Sequence, residues 1–419
     1  MELVILDPKK RDTELQSSRA HSQTAKLSKA EWRLFHSVLD TVYANNSQYI
    51  YPLRGDIEGI FSEENAAFLD GNCRLWVIKN KQGAAIGRIA AFVDNKRNEE
   101  LDLPVGGIGF FESINDQEVA NALLETAEDW LVQQGMEAVD GPINFGERDK
   151  FWGLLVRGWY RPIYQETYNP PYYQSFFADR GYIPHEQCLT MRGVVAEFPG
   201  ERLAKLATRV KERYGLYTKQ IAKKNLRQHA DDFAAAYNAA FSHWPYFKPL
   251  SGEDIFPTFQ AMKPIMDPHL TCLAYNADHQ PIGLAGLIPD INCFLHGVNG
   301  RMDWRGIPKF LWRLKFQKQR NCKGIAFGVA KDYQRQGVYP LMVDAMFQSG
   351  NYHTSRTYRY VDMATIRGHN DIMVSTCRQM NTDIHRVHIA YRKGLIPEAK
   401  WEAFKMIDVS EVSMGEVPR

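Results

Sequence analysis

The polar and apolar positions of this chain run through the same order twice. Apolar, β-rich runs flank the turn-forming triplets Lys81-Gln82-Gly83 and Ala277-Asp278-His279, which predicts two hairpins. Each hairpin is preceded by a stretch with helical spacing, at 31–43 and 231–241. Each is followed by a strand that runs into a helix: 107–112 into 117–134, and 324–329 into 340–348. Local echoes keep the same order. Val77-Ile78-Lys79-Asn80 with Ile86-Gly87 and Asp94 parallels Leu273-Ala274-Tyr275-Asn276 with Ile282-Gly283 and Asp290; Pro52-Leu53 with Asp56 and Phe61 parallels Pro249-Leu250 with Asp254 and Phe259. Downstream, 169–193 and 370–394 have equal length, each reading as a helix opened by Asn and a strand closed by Arg-Gly or Lys-Gly. A duplication explains the shared order. The expected fold is α+β with mixed sheets, in two similar domains, 1–198 and 199–419, that meet around Phe198-Pro199-Gly200.

Composition agrees with this reading and removes some functions. The 419 residues suit two domains, and 44% hydrophobic, 24% charged and 12% aromatic residues describe a globular chain with large apolar cores. A formal charge of +2 is too mild for a nucleic-acid footprint, so no nucleic-acid partner is expected. No stretch reaches the roughly 18 apolar residues of a membrane span, and the first residues lack a signal-peptide pattern. A cytoplasmic location is expected, with the inner-membrane surface as a peripheral option. The six cysteines are scattered, with no C-x-x-C pair and no His at ligand spacing, so neither a metal site nor a disulfide framework is expected.

The chemistry concentrates at 326–339, where an apolar strand ends in Val329, a polar turn carries Lys331, Gln334, Arg335, Gln336 and Gly337, and an apolar helix follows. A turn of this kind aims backbone N–H groups and a helix N-terminus at an anion, and glycine permits close approach. The matching junction of the first half, Phe110 to Asp116, has Glu112 and Asp116 and no basic residue. It is not suited to phosphate, so the first half is expected to shape an acceptor cleft or to support the second.

Gln334-x-x-Gly337 between such a strand and helix resembles the acyl-CoA-binding motif of the GNAT superfamily of N-acyltransferases. Segments 141–146, 152–158 and 168–173 look like those of bacterial proteins with tandem GNAT domains, and more weakly like bacterial ceramide synthases. The resemblance implies two tandem GNAT-like domains with acyl-CoA, by default acetyl-CoA, held by the second. Its contacts would come from Phe327, Gly328, Val329, Gln334, Arg335, Gln336, Gly337, Val338, Tyr339 and Asn370. It implies direct attack of an amine on the thioester. The sequence departs from the family at Tyr339, where Gly or Ala is preferred, and at Cys377, seven residues after Asn370, where many members have an acidic tyrosine.

Candidate bases are Asp362, on a strand at 357–363, and His369; Tyr358 or Tyr339 stands in for the missing acid. Asn144, Tyr172 and Tyr173 are candidate acceptor contacts. Each also fits a structural role: Asn144 as a turn former, and the tyrosines on a helix begun by Pro170-Pro171 and capped by Asn169. The segment 301–323 is basic and aromatic together. It suits an anionic membrane surface, an acidic acyl carrier protein or the CoA phosphates, or else a helix whose Phe310, Trp312 and Phe316 pack on the domain. The expected activity is acyl transfer from acyl-CoA to a small-molecule or lipid amine. The alternatives are a long-chain lipid N-acyltransferase and a non-catalytic acyl-CoA-binding scaffold.

Overall fold

The computed structural model describes residues 1–8, 27–242, 249–317, 320–349, 352–353 and 357–416, and its main sheet holds 13 strands. In the first half, β1 (Glu2–Leu6), β2 (Asn72–Lys79), β3 (Ala85–Val93) and β4 (Val105–Ser113) are antiparallel neighbours, and β5 (Ala138–Gly141) runs parallel to β4. The second half repeats this with β8 (Tyr217–Gln220), β9 (Thr271–Tyr275), β10 (Pro281–Pro289), β11 (Arg320–Val329) and β12 (Tyr358–Arg367).

The halves are joined by exchanging their last strands. The first half ends in β7 (Ile183–Val194), which pairs with β12 of the second; the second ends in β13 (Thr382–Gly394), which pairs with β5 of the first. β7 and β13 pair with each other, so the order reads β1-β2-β3-β4-β5-β13-β7-β12-β11-β10-β9-β8, with β6 (Leu154–Arg157) added onto β13.

All nine residues of β3 are buried, because helices cover both sheet faces. On one face α1 (Lys29–Val42) sets Phe35 and Val38 against Leu75, Val77 and Ala90. On the other, α3 (Gln117–Gln133), the third helix after α2 (Arg54–Ile60), sets Val119, Leu123 and Leu131 against Trp76, Ile89 and Ala91. Neighbouring residues on a strand thus feed opposite cores. After α4 (Tyr173–Asp179), the second half begins with α5 (Gly200–Tyr214), which has no counterpart among the described residues of the first. α6 (Leu226–Phe241) and α7 (Gly252–Met262) cover one face. The long insertion holds α8 (Gly306–Phe316), and α9 (Val338–Phe347) packs beside α5 on the other face. The apolar cluster beneath α3 runs on under α9 through both halves.

One local expectation is corrected. Asn169 does not cap a helix: its Oδ1 accepts from the Leu155 backbone N–H at 2.7 Å and its Nδ2 donates to the Leu155 carbonyl at 3.2 Å, so it acts as a strand partner for β6, and α4 starts only at Tyr173. Tyr173 and Phe176 on α4 are core residues, 0% and 3% exposed. The second-half equivalent does cap, since Asn370 accepts from the Met373 N–H at 3.1 Å at the start of α10 (Asp371–Gln379).

Two ion pairs hold the exchanged strands. Asp140 on β5 stands opposite Arg392 on β13 and meets it at 2.6 and 2.8 Å. Asp362 on β12 stands opposite Arg192 on β7 and meets it at 2.8 and 2.9 Å. Burial alone would raise the Asp140 carboxyl, but Arg392 and Arg97 overcome it and bring it down to about 2. A depressed folded-state value stabilises the fold above the unfolded carboxyl's range and is lost as pH falls toward the folded value. Asp140→Asn should therefore flatten the loss of stability between about pH 4 and 2, and should cost about 3 kcal/mol at neutral pH by leaving Arg392 buried without its partner. Denaturant melts across pH would measure both effects; an unchanged acid limb would refute the assignment.

Candidate functional site

Both halves contain a fork. β4 and β5 pair from Val105↔Ala138 to Gly107↔Asp140, with one further bond from the Ile143 N–H to the Ile108 carbonyl at 2.8 Å, and β11 and β12 pair from Arg320↔Tyr358 to Gly324↔Met363; the ladders of the parallel strands end there. In each half the earlier strand of the pair then turns into a helix, β4 into α3 and β11 into α9. The two turns differ in what they offer.

In the second half a single helical turn at Lys331–Tyr333 leads to Gln334, Arg335, Gln336 and Gly337. Gly337 has φ +76°, a left-handed conformation that favours glycine, and a Cβ there would lie 2.7 Å from Val210 of α5. Lys331, Gln334 and Arg335 are exposed, and the first turn of α9 holds no acid, although exposed Asp332 lies just before it. The Gln334 and Gln336 amides fold back onto the Val329 and Asp332 carbonyls at 3.3 and 3.1 Å. Tyr339 stands in the first turn of α9, its ring 5.6 Å from that of Phe327 on β11, and its buried hydroxyl has no hydrogen-bond partner. Gly328 packs against Phe241 and Ala240 of α6, and Val338 is buried.

In the first half the same positions are spent internally. Asp116 places its own carboxylate at the start of α3, accepting from the Glu118 and Val119 N–H groups at 2.9 and 3.4 Å. A helix start occupied by a carboxylate has neither the free N–H groups nor the positive potential that draws a phosphate. Beside it, the Tyr173 hydroxyl accepts from the Ser113 N–H at 2.7 Å, and the Tyr172 hydroxyl donates to the Ser113 carbonyl at 3.0 Å. The backbone at the end of β4 is thus closed by two tyrosines.

The first half keeps a cavity of about 60 Å³ on the α1–α2 side of its fork, lined by rings that include Tyr49, Phe110, Phe151 and Tyr164. A bulge in β4 places Phe110 at φ +53° and sets Glu112 opposite Arg88 of β3. The Glu112 Oε2 accepts from the Tyr43 hydroxyl at 2.7 Å and the Tyr173 hydroxyl at 3.0 Å, and Arg88 lies 3.7 Å from Oε1. Burial pushes the Glu112 carboxyl up to about 7, against the pull of Arg88 and the two hydroxyls. The sequence reading noted Glu112 only as hostile to phosphate and passed over Arg88. The signal was available: one charged residue inside the apolar run Ala85–Val93 needs a buried partner.

A smaller cavity of about 20 Å³ lies at the second-half fork, lined by Lys323, Ala364, Thr365, Glu166, Thr190 and His388 among others. It shares the wall residues Phe151, Gln165, Glu166 and Thr167 with the Glu112 cavity. Lys323 is 6% exposed and donates to the Tyr164 carbonyl at 2.7 Å; burial lowers its amine from the ordinary range.

The sequence candidates do not converge on one point. Asp362 is 0% exposed and sits between Arg192 and Arg386; burial would raise its carboxyl, but the two guanidinium groups hold it below the usual range. Tyr358 is buried and donates to Asp267 at 2.9 Å. His369 is exposed, its ring stacked on Phe404 at 4.6 Å. Asn144 is 2% exposed, donates to the Glu147 carbonyl at 3.0 Å, and has a buried Oδ1 without a partner. Only Tyr173 of the acceptor candidates lines the Glu112 cavity. Among the described residues no group of three or more acidic, His or Cys side chains is placed to hold a metal ion.

Solved structures share this architecture. A tandem GNAT protein from the clavulanic acid biosynthesis pathway superposes with a TM-score of 0.52 at 9% identity, over 95% of this chain and all of that one. The fold is the tandem GNAT fold. The glucosamine N-acetyltransferase region of a fungal multi-domain β-N-acetylglucosaminidase gives a TM-score of 0.51 at 13% identity, over 94% of this chain and 38% of that one. In sequence, the chain is 24% identical over 319 residues to protein YghO of Escherichia coli, covering 75% of this chain and 80% of that protein. It is 22% identical over 373 residues to a bacterial ceramide synthase of Caulobacter vibrioides, covering 87% and 95%. No family model matches. The GNAT architecture thus occurs twice here, with an open glycine turn at one fork and a buried carboxyl at the other.

The Glu112 environment is measurable directly. Carbon-13 NMR of labelled glutamate should show one carboxyl with a midpoint near 7. Tyr43→Phe, which removes a hydrogen bond to the ionised form, should raise it further. A spectrum with every glutamate in the ordinary range would contradict this geometry.

Proposed function

We propose that the protein is an N-acyltransferase that takes its acyl group from acyl-CoA at the second-half fork and delivers it to an amine held in the cleft between the two forks. The contrast between the helix starts carries this reading: α3 is closed by Asp116, Tyr172 and Tyr173, whereas α9 is entered through Gly337 with Arg335 and Lys331 beside it. Arg335, Gln336 and the backbone from Gly337 to Tyr339 would hold the pyrophosphate, with Phe327, Gly328, Val329, Gln334 and Asn370 along the path to the fork. Tyr339, whose hydroxyl is buried without a partner, would meet the donor's polar arm and protonate the leaving thiolate. Acetyl-CoA is the default donor.

The amine nitrogen attacks the thioester carbonyl carbon, the C–S bond breaks, and the proton of the amine must pass to the protein. Glu112 suits that task best, since a carboxyl titrating near 7 is half ionised at neutral pH and can both bind an ammonium and take its proton. Asp362, held by two arginines, is assigned to fixing the fork, with Tyr358 beside it; His369, on the outer turn before α10, is assigned to the approach. Tyr173 orients Glu112, and Asn144, whose Oδ1 lacks a partner, offers an acceptor contact.

A long-chain amine and a long acyl donor form the second reading, favoured by the ring-lined cavity and the similarity to a bacterial ceramide synthase. Calorimetry with acetyl-CoA and palmitoyl-CoA separates the two by donor. Arg335→Glu should weaken whichever binds by about tenfold or more, and Gly337→Val should act in the same direction. Binding of neither donor would remove the proposal; binding without turnover over a panel of amines would leave a CoA-binding scaffold. Where turnover occurs, the rate should rise as pH increases through about 7, and Glu112→Gln should remove that rise and lower kcat/KM by about 100-fold.

A further inference from the structure

We infer that α8 and the turn before it form a docking surface for an anionic lipid bilayer. Six large apolar side chains stand exposed within 15 residues of chain: Met302, Trp304, Ile307, Leu311, Trp312 and Phe316, with Trp304 at 75% and Trp312 at 63%. Isolated exposed apolar residues are common; a contiguous group is not. The helix is not short of a core contact. Phe310 and Leu314 anchor it, the Phe310 ring lying 6.0 Å from that of Phe294, in a small cluster with Ile291, Leu295 and Val298. At about 100° per residue, Pro308, Trp312 and Phe316 fall on the side away from those anchors, with Ile307 and Leu311 between. Packing therefore accounts for one face and leaves the opposite, aromatic face in water.

Charge names the occupant. Arg301, Arg305, Lys309, Arg313 and Lys315 accompany the apolar side chains, against a single acid, Asp303. That carboxylate is engaged with the Arg305 and Gly306 N–H groups, both at 3.0 Å, where it starts the helix. Arg305 lies over the Trp304 ring at 4.5 Å and Lys315 over the Phe316 ring at 5.3 Å, so rings and cations share one surface. Tryptophan and long cationic side chains together match the boundary between acyl chains and anionic headgroups, where the ring is half buried and the charge stays wet. Lys318 and Gln319, which extend the basic segment, lie outside the described residues.

The position gives the surface its use. The cluster that anchors α8 also contains Ile50, Leu53 and Tyr164, and Ile50 and Tyr164 line the Glu112 cavity. The insertion is tied to the first half by the Arg54 N–H, which donates to the Gly300 carbonyl at 3.0 Å. A bilayer seated on the aromatic face of α8 would thus be linked to that cavity through the helix and its anchor cluster.

The test uses the full chain without donor or acceptor, so its outcome does not depend on acyl transfer. Co-sedimentation should show binding to vesicles of phosphatidylcholine with phosphatidylglycerol, weaker binding to phosphatidylcholine alone, and loss with rising salt. Trp304→Ser with Trp312→Ser should weaken binding by about tenfold or more, and Arg305→Glu with Lys309→Glu should abolish the preference for the anionic vesicle. All four residues are exposed, so the melting temperature should not move. Failure of the wild-type chain to bind either vesicle, equal binding by the tryptophan variant, or binding to an acidic acyl carrier protein in place of vesicles would each overturn the inference.

Discussion

The arrangement depends on two buried carboxylate–guanidinium pairs, Asp140 with Arg392 and Asp362 with Arg192. Each joins the fifth strand of one half to the last strand of the other. Their value lies less in net stability, since desolvation offsets most of the attraction in a buried ion pair, than in register. A slip of β7 or β13 by one residue would send every side chain to the opposite face and leave two buried charges unmatched. Further cross-half contacts run alongside: Arg386 with Glu166 at 2.6 Å and Lys393 with Glu128 at 2.7 Å. With the halves exchanging strands, neither completes its sheet alone, and the cavity at the second-half fork is walled by residues from both.

Duplication followed by divergence of the two forks gives the molecule its chemical asymmetry. The scaffold supplies the same strand, fork and helix start twice. In the first half Asp116 engages the Glu118 and Val119 N–H groups, and Tyr172 and Tyr173 engage Ser113. Tyr173 also donates to Glu112, so the residue that closes one helix start holds the buried carboxyl beside it. The second half keeps its turn open at Gly337 and accepts the cost of a partnerless Tyr339 hydroxyl.

Much of the architecture was legible because it is written in local patterns. The hairpin turns, the helices α1, α3, α6 and α9, and the order of the halves follow from periodicity and turn chemistry, which act over a few residues. The basic glycine turn was legible for the same reason: Gln334, Arg335 and Gly337 are neighbours in sequence. Asn169 misled because an asparagine before two prolines has the local form of a helix cap, while the fold uses it to complete a strand. Trp312 and Phe316, offered as either packed or exposed, could not be settled by the pattern alone, since α8 is apolar on nearly all sides.

By itself, then, the sequence determined what the backbone does over short distances: two copies of an α+β unit, one basic glycine turn, one basic aromatic insertion. The tertiary structure alone decided which strands were exchanged, that Asp362 would be bound between two arginines, and that Glu112 would be buried with Arg88, Tyr43 and Tyr173. The physical reason is that a carboxyl's ionisation depends on who shares its burial. Those partners come from strands and helices far apart in the chain, brought together only when the sheet closes.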